Sequence, residues 1–231
     1  MTSLRPLLLA ALALGLTACA HLPSRDGAKA GPFFTPANVK VSPDGLPANI
    51  RRVLLLPVSA EGLGLPDENL ARIDAAFLTE LNRAARFEVV TLSRDELVRL
   101  AGVRQLNSTA AMPPAFLDHV FNVYNDYGAD AVLFVDLTAY SAYPPLLIGV
   151  RAKLASVHES DIPWAADISF SAADPAVANA ARRHALSIAP QGPVDLSHTI
   201  LQNPARFAAY VAEATFATLP TRAAPPAAPA K

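Results

Sequence analysis

One side chain in this 231-residue chain carries a thiol, Cys19, and no second cysteine is present to pair with it. A disulfide framework and a cysteine-rich metal site are therefore excluded. The five histidines (His21, His119, His158, His184, His198) are spread along the chain without ligand spacing, so each reads as a surface or helix-end histidine. His119 follows Asp118 directly, and adjacent residues on a helix do not face each other. Gly62-Leu63-Gly64 lacks the further glycines and the Gly-Lys-Ser/Thr of a phosphate-binding loop. Neither His-Glu-x-x-His nor a nucleophile elbow occurs. A Ser, a His and an Asp can be combined on paper in many ways, and that freedom carries no weight. The expectation is a protein that is not an enzyme and takes no cofactor and no metal.

The chemistry available to Cys19 is set by what precedes it. Arg5 is followed by an apolar run of 13 residues, Pro6 to Ala18. A helix over that run rises about 20 Å, short of a ~30 Å hydrocarbon core, so it suits a signal-peptide core better than a permanent span. Leu16-Thr17-Ala18-Cys19 looks like a bacterial lipobox: Leu, two small residues, then Cys. In proteins with that signal the thiol is joined to diacylglycerol, the preceding residues (here 1–18) are removed, and the new amine is acylated, commonly by palmitate. Each buried methylene is worth about 0.8 kcal/mol, so two or three chains together hold a domain stably. The residue after the cysteine is Ala20, not Asp, which by resemblance to enterobacterial sorting implies the outer membrane. An ordinary secretory signal with a chance cysteine is the plainer alternative.

Composition excludes other classes. Charged residues are 17% of the chain, against an average of about 25%. The net charge is −1 and the pI about 6.5, so no basic excess exists to drive nucleic-acid binding. The 21 prolines cluster at both ends, which predicts a folded middle with loose flanks.

Residues 19–49 hold the lipidated cysteine and then Pro23, Pro32, Pro36, Pro43 and Pro47 without periodicity, which predicts a tether. Thirty flexible residues span about 30 Å root-mean-square, enough for a domain to stand off a membrane. Phe33-Phe34 reads first as a patch that folds back on the domain and second as a docking element. The domain itself is expected over 50–219. Val53–Val58 is an uninterrupted apolar run, as in a strand buried on both faces. Leu70, Ile73, Phe77 and Leu81 give a helical stripe, and Phe87–Thr91 the second strand. Ser93-Arg94-Asp95-Glu96 fits a capping box, with Gly102 as the stop. Phe116, Val120, Val123, Tyr124 and Tyr127 mark a further helix, and 130–137 a third strand. Two alternating runs, 148–154 and 162–170, predict an antiparallel hairpin. Asp174-Pro175 and Asn203-Pro204 open the last two helices. Residues 220–231 are Pro/Ala-rich and expected to be disordered. The order βαβααβββαα implies α/β or α+β: a single domain with a mixed sheet of about five strands and helices packed on it.

The candidate interaction surface comprises Tyr140, Tyr143, Leu146, Leu147, Trp164, Arg182 and Arg183. The loop from Tyr140 to Leu147 carries two tyrosines, two prolines and two leucines, and reads as a sheet-edge cover or as a contact site. Trp164 reads first as a hairpin anchor and second as a partner contact. Arg182-Arg183-His184 reads first as charge at a helix C-terminus, second as a contact for anionic headgroups or another protein.

The runs Arg52–Val58, Phe87-Glu88-Val89-Val90, Tyr127-Gly128-Ala129-Asp130-Ala131-Val132-Leu133 and Val150–Leu154, with the return through Trp164, make residues 50–185 resemble a group of envelope lipoproteins. Their domain is similar to the TolB amino-terminal domain, and the group includes the curli-export lipoprotein and the lipoprotein activator of a peptidoglycan synthase. The resemblance implies a mixed sheet flanked by helices, no cofactor, and action by protein contact. It implies no site residue. The chain departs from the group in lacking the "Asp-x-x-Thr-Gly" turn, and it has no long alternating strand pair suited to a membrane pore.

The expected protein is a lipid-anchored envelope protein, held through acylated Cys19 in the outer membrane and facing the periplasm. Its partner is another envelope protein, and its role that of scaffold or accessory factor in envelope assembly or export. The alternatives are a self-assembling secretion or pore component, which is a homo-oligomer, and a small-ligand-binding or hydrolytic envelope protein.

Overall fold

The computed structural model describes residues 26–121, 127–157, 159, 161–188 and 195–222. In chain order the elements are α1 (Gly27–Ala30), β1 (Val39–Val41), β2 (Arg52–Leu55), α2 (Asp67–Ala84), β3 (Glu88–Thr91), α3 (Arg94–Ala101), α4 (Pro114–Phe121), β4 (Ala131–Ser141), β5 (Leu147–Ser156), β6 (Trp164–Ser171), α5 (Pro175–Ile188), a 3₁₀ segment (Ser197–Gln202) and α6 (Pro204–Phe216). The six strands form one mixed sheet in the order β1-β6-β5-β4-β2-β3. β3, β2 and β4 are parallel, and β4, β5, β6 and β1 antiparallel. The α/β class and the order of elements from β2 onward follow the sequence reading.

Local chemistry accounts for the helix ends. The Ser93 hydroxyl and the Glu96 carboxylate cap α3 reciprocally, and Gly102 takes the left-handed conformation that ends it. Asp174 accepts the Ala176 N–H at 2.8 Å, and Asn203 accepts the Arg206 N–H at 3.1 Å, so α5 and α6 start where a capping side chain precedes a proline.

Two hydrophobic cores share the sheet. On one face Val53, Phe77, Val135, Leu154, Trp164, Phe170, Ala181, Phe207 and Phe216 join α2, α5 and α6 to β2, β4, β5 and β6, and half-buried Val39 of β1 and Val89 of β3 pack at the border. On the other, Leu54, Leu97, Phe116, Val132 and Phe134 join α3 and α4 to β2 and β4. Among the described residues no helix packs on the outer face of β5 and β6. It carries the Arg151–Asp167 pair (2.8 Å) and Lys153, whose ammonium lies 5.0 Å from the centre of the Phe134 ring.

Three expectations are corrected. Residues 26–49 are not a free tether: β1 extends the sheet beside β6, Leu46 is buried, and Phe34 meets the edge of Phe170 at 5.2 Å. Apolar burial and sheet-edge pairing outweigh the prolines there, and β1 makes six strands where about five were expected. Residues 220–222, expected to belong to a disordered tail, are placed in the fold: Arg222 bridges to Leu46 and donates to the carbonyls of Ala48, Ile50 and Arg86 at 3.0–3.2 Å. Those carbonyls flank strand entries and need donors. Finally, Tyr140 and Leu147 belong to β4 and β5, so the break between the strands is shorter than expected. Val123, Tyr124 and the loop around Gly192 lie outside the described residues, as do 1–25 and 223–231.

Trp164 is fully buried, and its indole N–H donates to the Thr218 hydroxyl at 3.0 Å. Trp164→Ala should cost about 3–5 kcal/mol through loss of apolar burial and the cavity left behind. Trp164→Phe keeps most of the ring packing and should cost far less. Urea denaturation followed by far-UV circular dichroism measures both, because Trp164 is the only tryptophan.

Candidate functional site

The three parallel strands end on the same side of the molecule, and a cleft of about 490 Å³ opens there between α2 and the N-terminus of α3. This is the place where open α/β sheets offer crevices to ligands and partners. Leu55–Val58 form its floor, with Asp67 and Asp74 of α2 on one wall and Ser93–Glu96 on the other.

Arg94 spans the cleft. It is the first residue of α3, so the capping box fixes where its side chain starts. Its Nη2 donates to the Val58 carbonyl at 2.9 Å and to both Asp74 oxygens at 3.1 and 2.8 Å. Asp74 in turn accepts the Val58 N–H at 2.7 Å. One ion pair thus ties α2, α3 and the loop after β2 together. Burial pushes the Asp74 carboxyl above its ordinary value, opposed by the Val58 N–H and by Arg94. Arg94 Nε and Nη1 are buried and have no hydrogen-bond partner among the described residues. At the rim, Arg104 pairs with Asp67 at 2.8 Å. The Ser93 hydroxyl and N–H hold the Glu96 carboxyl below its ordinary value.

A second depression, about 440 Å³, adjoins the middle of β4, beside the loop after β2. Its buried carboxylate is Asp136, which accepts the Ser108 N–H at 3.0 Å and the Ser108 hydroxyl at 2.5 Å. Lys153 donates to the Ser108 carbonyl. Asn107 reaches Glu61 at 2.6 Å, and Gln105 accepts the Ala60 N–H at 2.8 Å, so the segment 105–109 is latched to the loop after β2. Burial pushes Asp136 above its ordinary value, and the Ser108 bonds, Arg151 and Lys153 oppose the shift. Among the described residues no group of three His, Cys, Asp or Glu is placed to hold a metal ion, and no described helix is long and apolar enough to cross a membrane.

The residues named from the sequence as a candidate surface do not form one. Tyr143 is 82% exposed at the turn between β4 and β5, and Tyr140 and Leu147 beside it are half-buried. Leu146 and Trp164 are fully buried in the larger core, so neither is available to a partner, and Trp164 is the anchor of its first reading. Arg182 is engaged by Asp26 (3.0 Å), Asp195 (3.2 Å) and the Ser197 hydroxyl (3.1 Å), and the Arg183 guanidinium lies 4.6 Å from the centre of the Phe33 ring. These arginines secure the N-terminal segment to α5. Cys19, Leu16, Thr17 and Ala18 lie outside the described residues.

Sequence reasoning missed Arg94, Asp74, Asp136 and Ser108. A signal existed for one of them: Asp136 interrupts the otherwise apolar run 131–137, and a charge inside a buried strand demands a partner.

Asp136→Asn tests that partnership, because it keeps an acceptor oxygen for Ser108 and removes the titration. A raised folded-state pKa gives the wild type a stability contribution that is complete below the ordinary aspartate value and lost as pH rises through the folded-state value. The wild type should therefore gain on Asp136→Asn as pH is lowered from 7 to 4, read from paired urea midpoints. A separation that stays constant over that range contradicts the assignment.

No protein-family model matches the sequence, and no curated protein matches it. Among solved structures the chain is similar to the PelC dodecamer from Paraburkholderia phytofirmans, at 12% identity and a TM-score of 0.39, over 75% of this chain and 94% of that one. It is also similar to lipoprotein GNA1162 from Neisseria meningitidis, at 19% identity and a TM-score of 0.35, over 52% and 79%. The LpoB C-terminal domain from Salmonella enterica is similar at 16% identity and a TM-score of 0.35, over 55% and 85%.

Proposed function

We propose that this chain is a lipid-anchored protein of the bacterial envelope, held in the outer membrane through acylated Cys19 and facing the periplasm. Its folded domain acts by contact with another envelope protein, as a scaffold or accessory factor in assembly or export. The observation that carries this reading is Leu16-Thr17-Ala18-Cys19: the chain's only cysteine stands at the one position a lipobox requires, behind an apolar run too short to span. Contact without catalysis is supported by the cleft itself, whose ionic groups are turned on one another: Arg94 on Asp74, Arg104 on Asp67, Glu96 on Ser93. Anchoring supplies the mechanism. Confinement to one membrane raises the domain's effective concentration near a partner there, with no new contact needed.

Cys19→Ala should move the protein from the membrane to the soluble periplasmic fraction, read by fractionation after a salt wash. A Cys19→Ala protein that still sediments with membranes defeats the anchor. In the wild type, a photo-crosslinking residue in place of the exposed Tyr143 reports on assembly. A discrete complex with a second envelope protein supports the accessory role. A large assembly of this chain alone supports the self-assembling alternative.

A further inference from the structure

Asp26 is the seventh residue after Cys19, and a fully extended chain gains at most about 3.6 Å per residue. Asp26 is therefore within roughly 25 Å of a lipid attached to Cys19, whatever path the chain takes between them. The position of Asp26 in the fold is fixed. The N-terminal segment runs back along α5: Phe34 donates to the Ala176 carbonyl at 3.1 Å, Asn179 donates to the Pro32 carbonyl at 3.2 Å, and Asp26 meets Arg182 at 3.0 Å. Read toward the anchor, the described chain passes from the start of α5 toward its C-terminal end.

Three of the exposed large apolar side chains among the described residues lie toward that end. Leu186 and Ile188 of α5 are 37% and 53% exposed. Leu196 is 60% exposed, and it lies next to Asp195 and Ser197, both bonded to the same Arg182 that holds Asp26. Arg182 and Arg183 stand one to two turns before Leu186 and Ile188, and their pairing with Asp26, Asp195 and the Phe33 ring fixes the N-terminal segment against this end of α5.

We infer that the C-terminal end of α5, with Leu196, is a membrane-seating face that docks on the bilayer holding the Cys19 lipid. The proposal rests on the lipid-anchor reading above. It commits to the lipid surface because the chain outside the described residues is too short to hold this end far from the membrane. It also sets an orientation. α5 starts beside the β4–β5 turn, where Ala172 donates to the Leu146 carbonyl at 2.8 Å, and its 14 residues carry Ile188 about 20 Å away. The cleft spanned by Arg94 and the Tyr143 turn lie at the β4–β5 end, so seating α5 turns them away from the membrane and into the periplasm.

The test uses the full lipidated chain in vesicles of phosphatidylethanolamine and phosphatidylglycerol. With Cys19 acylated, Ile188→Cys, Leu196→Cys and Tyr143→Cys each provide one free thiol for an environment-sensitive fluorophore. All three sites are exposed, and circular dichroism checks the fold of each. Lipid-borne nitroxide should quench the labels at 188 and 196 at least threefold more than the label at 143. Equal quenching at the three sites, in protein that floats with the vesicles, overturns the seating face and leaves the anchor intact. A crosslink from position 188 to another protein in cells overturns it as well, by assigning the patch to a protein partner. If Cys19 carries no lipid and the chain does not float, the anchor reading itself fails and the orientation falls with it.

Discussion

Residues Ala131 to Leu137 are buried without a break, so β4 has to be covered on both faces at once. Ala131, Leu133, Val135 and Leu137 enter one core, and Val132 and Phe134 the other. Alternation of side chains across a strand makes that division unavoidable. β4 is also where the sheet changes character, pairing in parallel with β2 and antiparallel with β5. A strand buried on both faces at that junction requires helices on either side, which is why this chain forms a layered α/β fold.

The covering is unequal, and the inequality shapes the surface. α3 and α4 are short, eight residues each, and with the segment that packs beside them they cover only the parallel half of the second face. Beyond them the sheet shows Arg151, Lys153 and Asp167 to solvent, in the alternating pattern of an antiparallel hairpin with one wet side. The opposite face is closed by α2, α5 and α6, with the N-terminal segment laid over α5. The free ends of the parallel strands are left to loops, and the clefts lie there.

What the sequence disclosed depended on how far apart the interacting residues are. The buried strands, the capping box at Ser93 and Glu96, and the Asp174-Pro175 and Asn203-Pro204 starts are written in runs of a few residues, so each could be read directly. β1 could not. Val39–Val41 is three residues long and becomes a strand only because β6 offers an edge. Phe33-Phe34 does fold back on the domain, as its first reading had it, but its target Phe170 lies more than a hundred residues away in sequence, as do Thr221 for Leu46 and Ile50 for Arg222. Proline content argued for loose flanks, and long-range burial overruled it. The burial of Trp164 agrees with its first reading as a hairpin anchor and overturns the second, as a partner contact; Leu146 is also buried, and neither the Thr218 hydroxyl nor the core that encloses these two residues is visible locally. In the candidate site, Arg94 sat inside a recognised capping box, but its reach to Asp74 depends on how α2 and α3 pack.

Asp74 and Asp136 show what the cleft end of the molecule is built to do. Desolvation outweighs their hydrogen bonds and charge partners, since both carboxyls are shifted upward. A partly buried ion pair such as Arg94–Asp74 seldom beats an apolar packing of the same volume, and Asp136 is held by hydrogen bonds from Ser108. Each ties a loop to a rigid element: Asp74 holds the loop after β2 through Val58, and Asp136 holds the 105–109 segment through Ser108. Removing one partner from either brace leaves an uncompensated buried group, so the two loops are held in one arrangement or pulled apart at a cost. The shape of this end of the molecule is therefore set by two polar braces that act on its loops, in addition to the apolar packing that sets the sheet and helices.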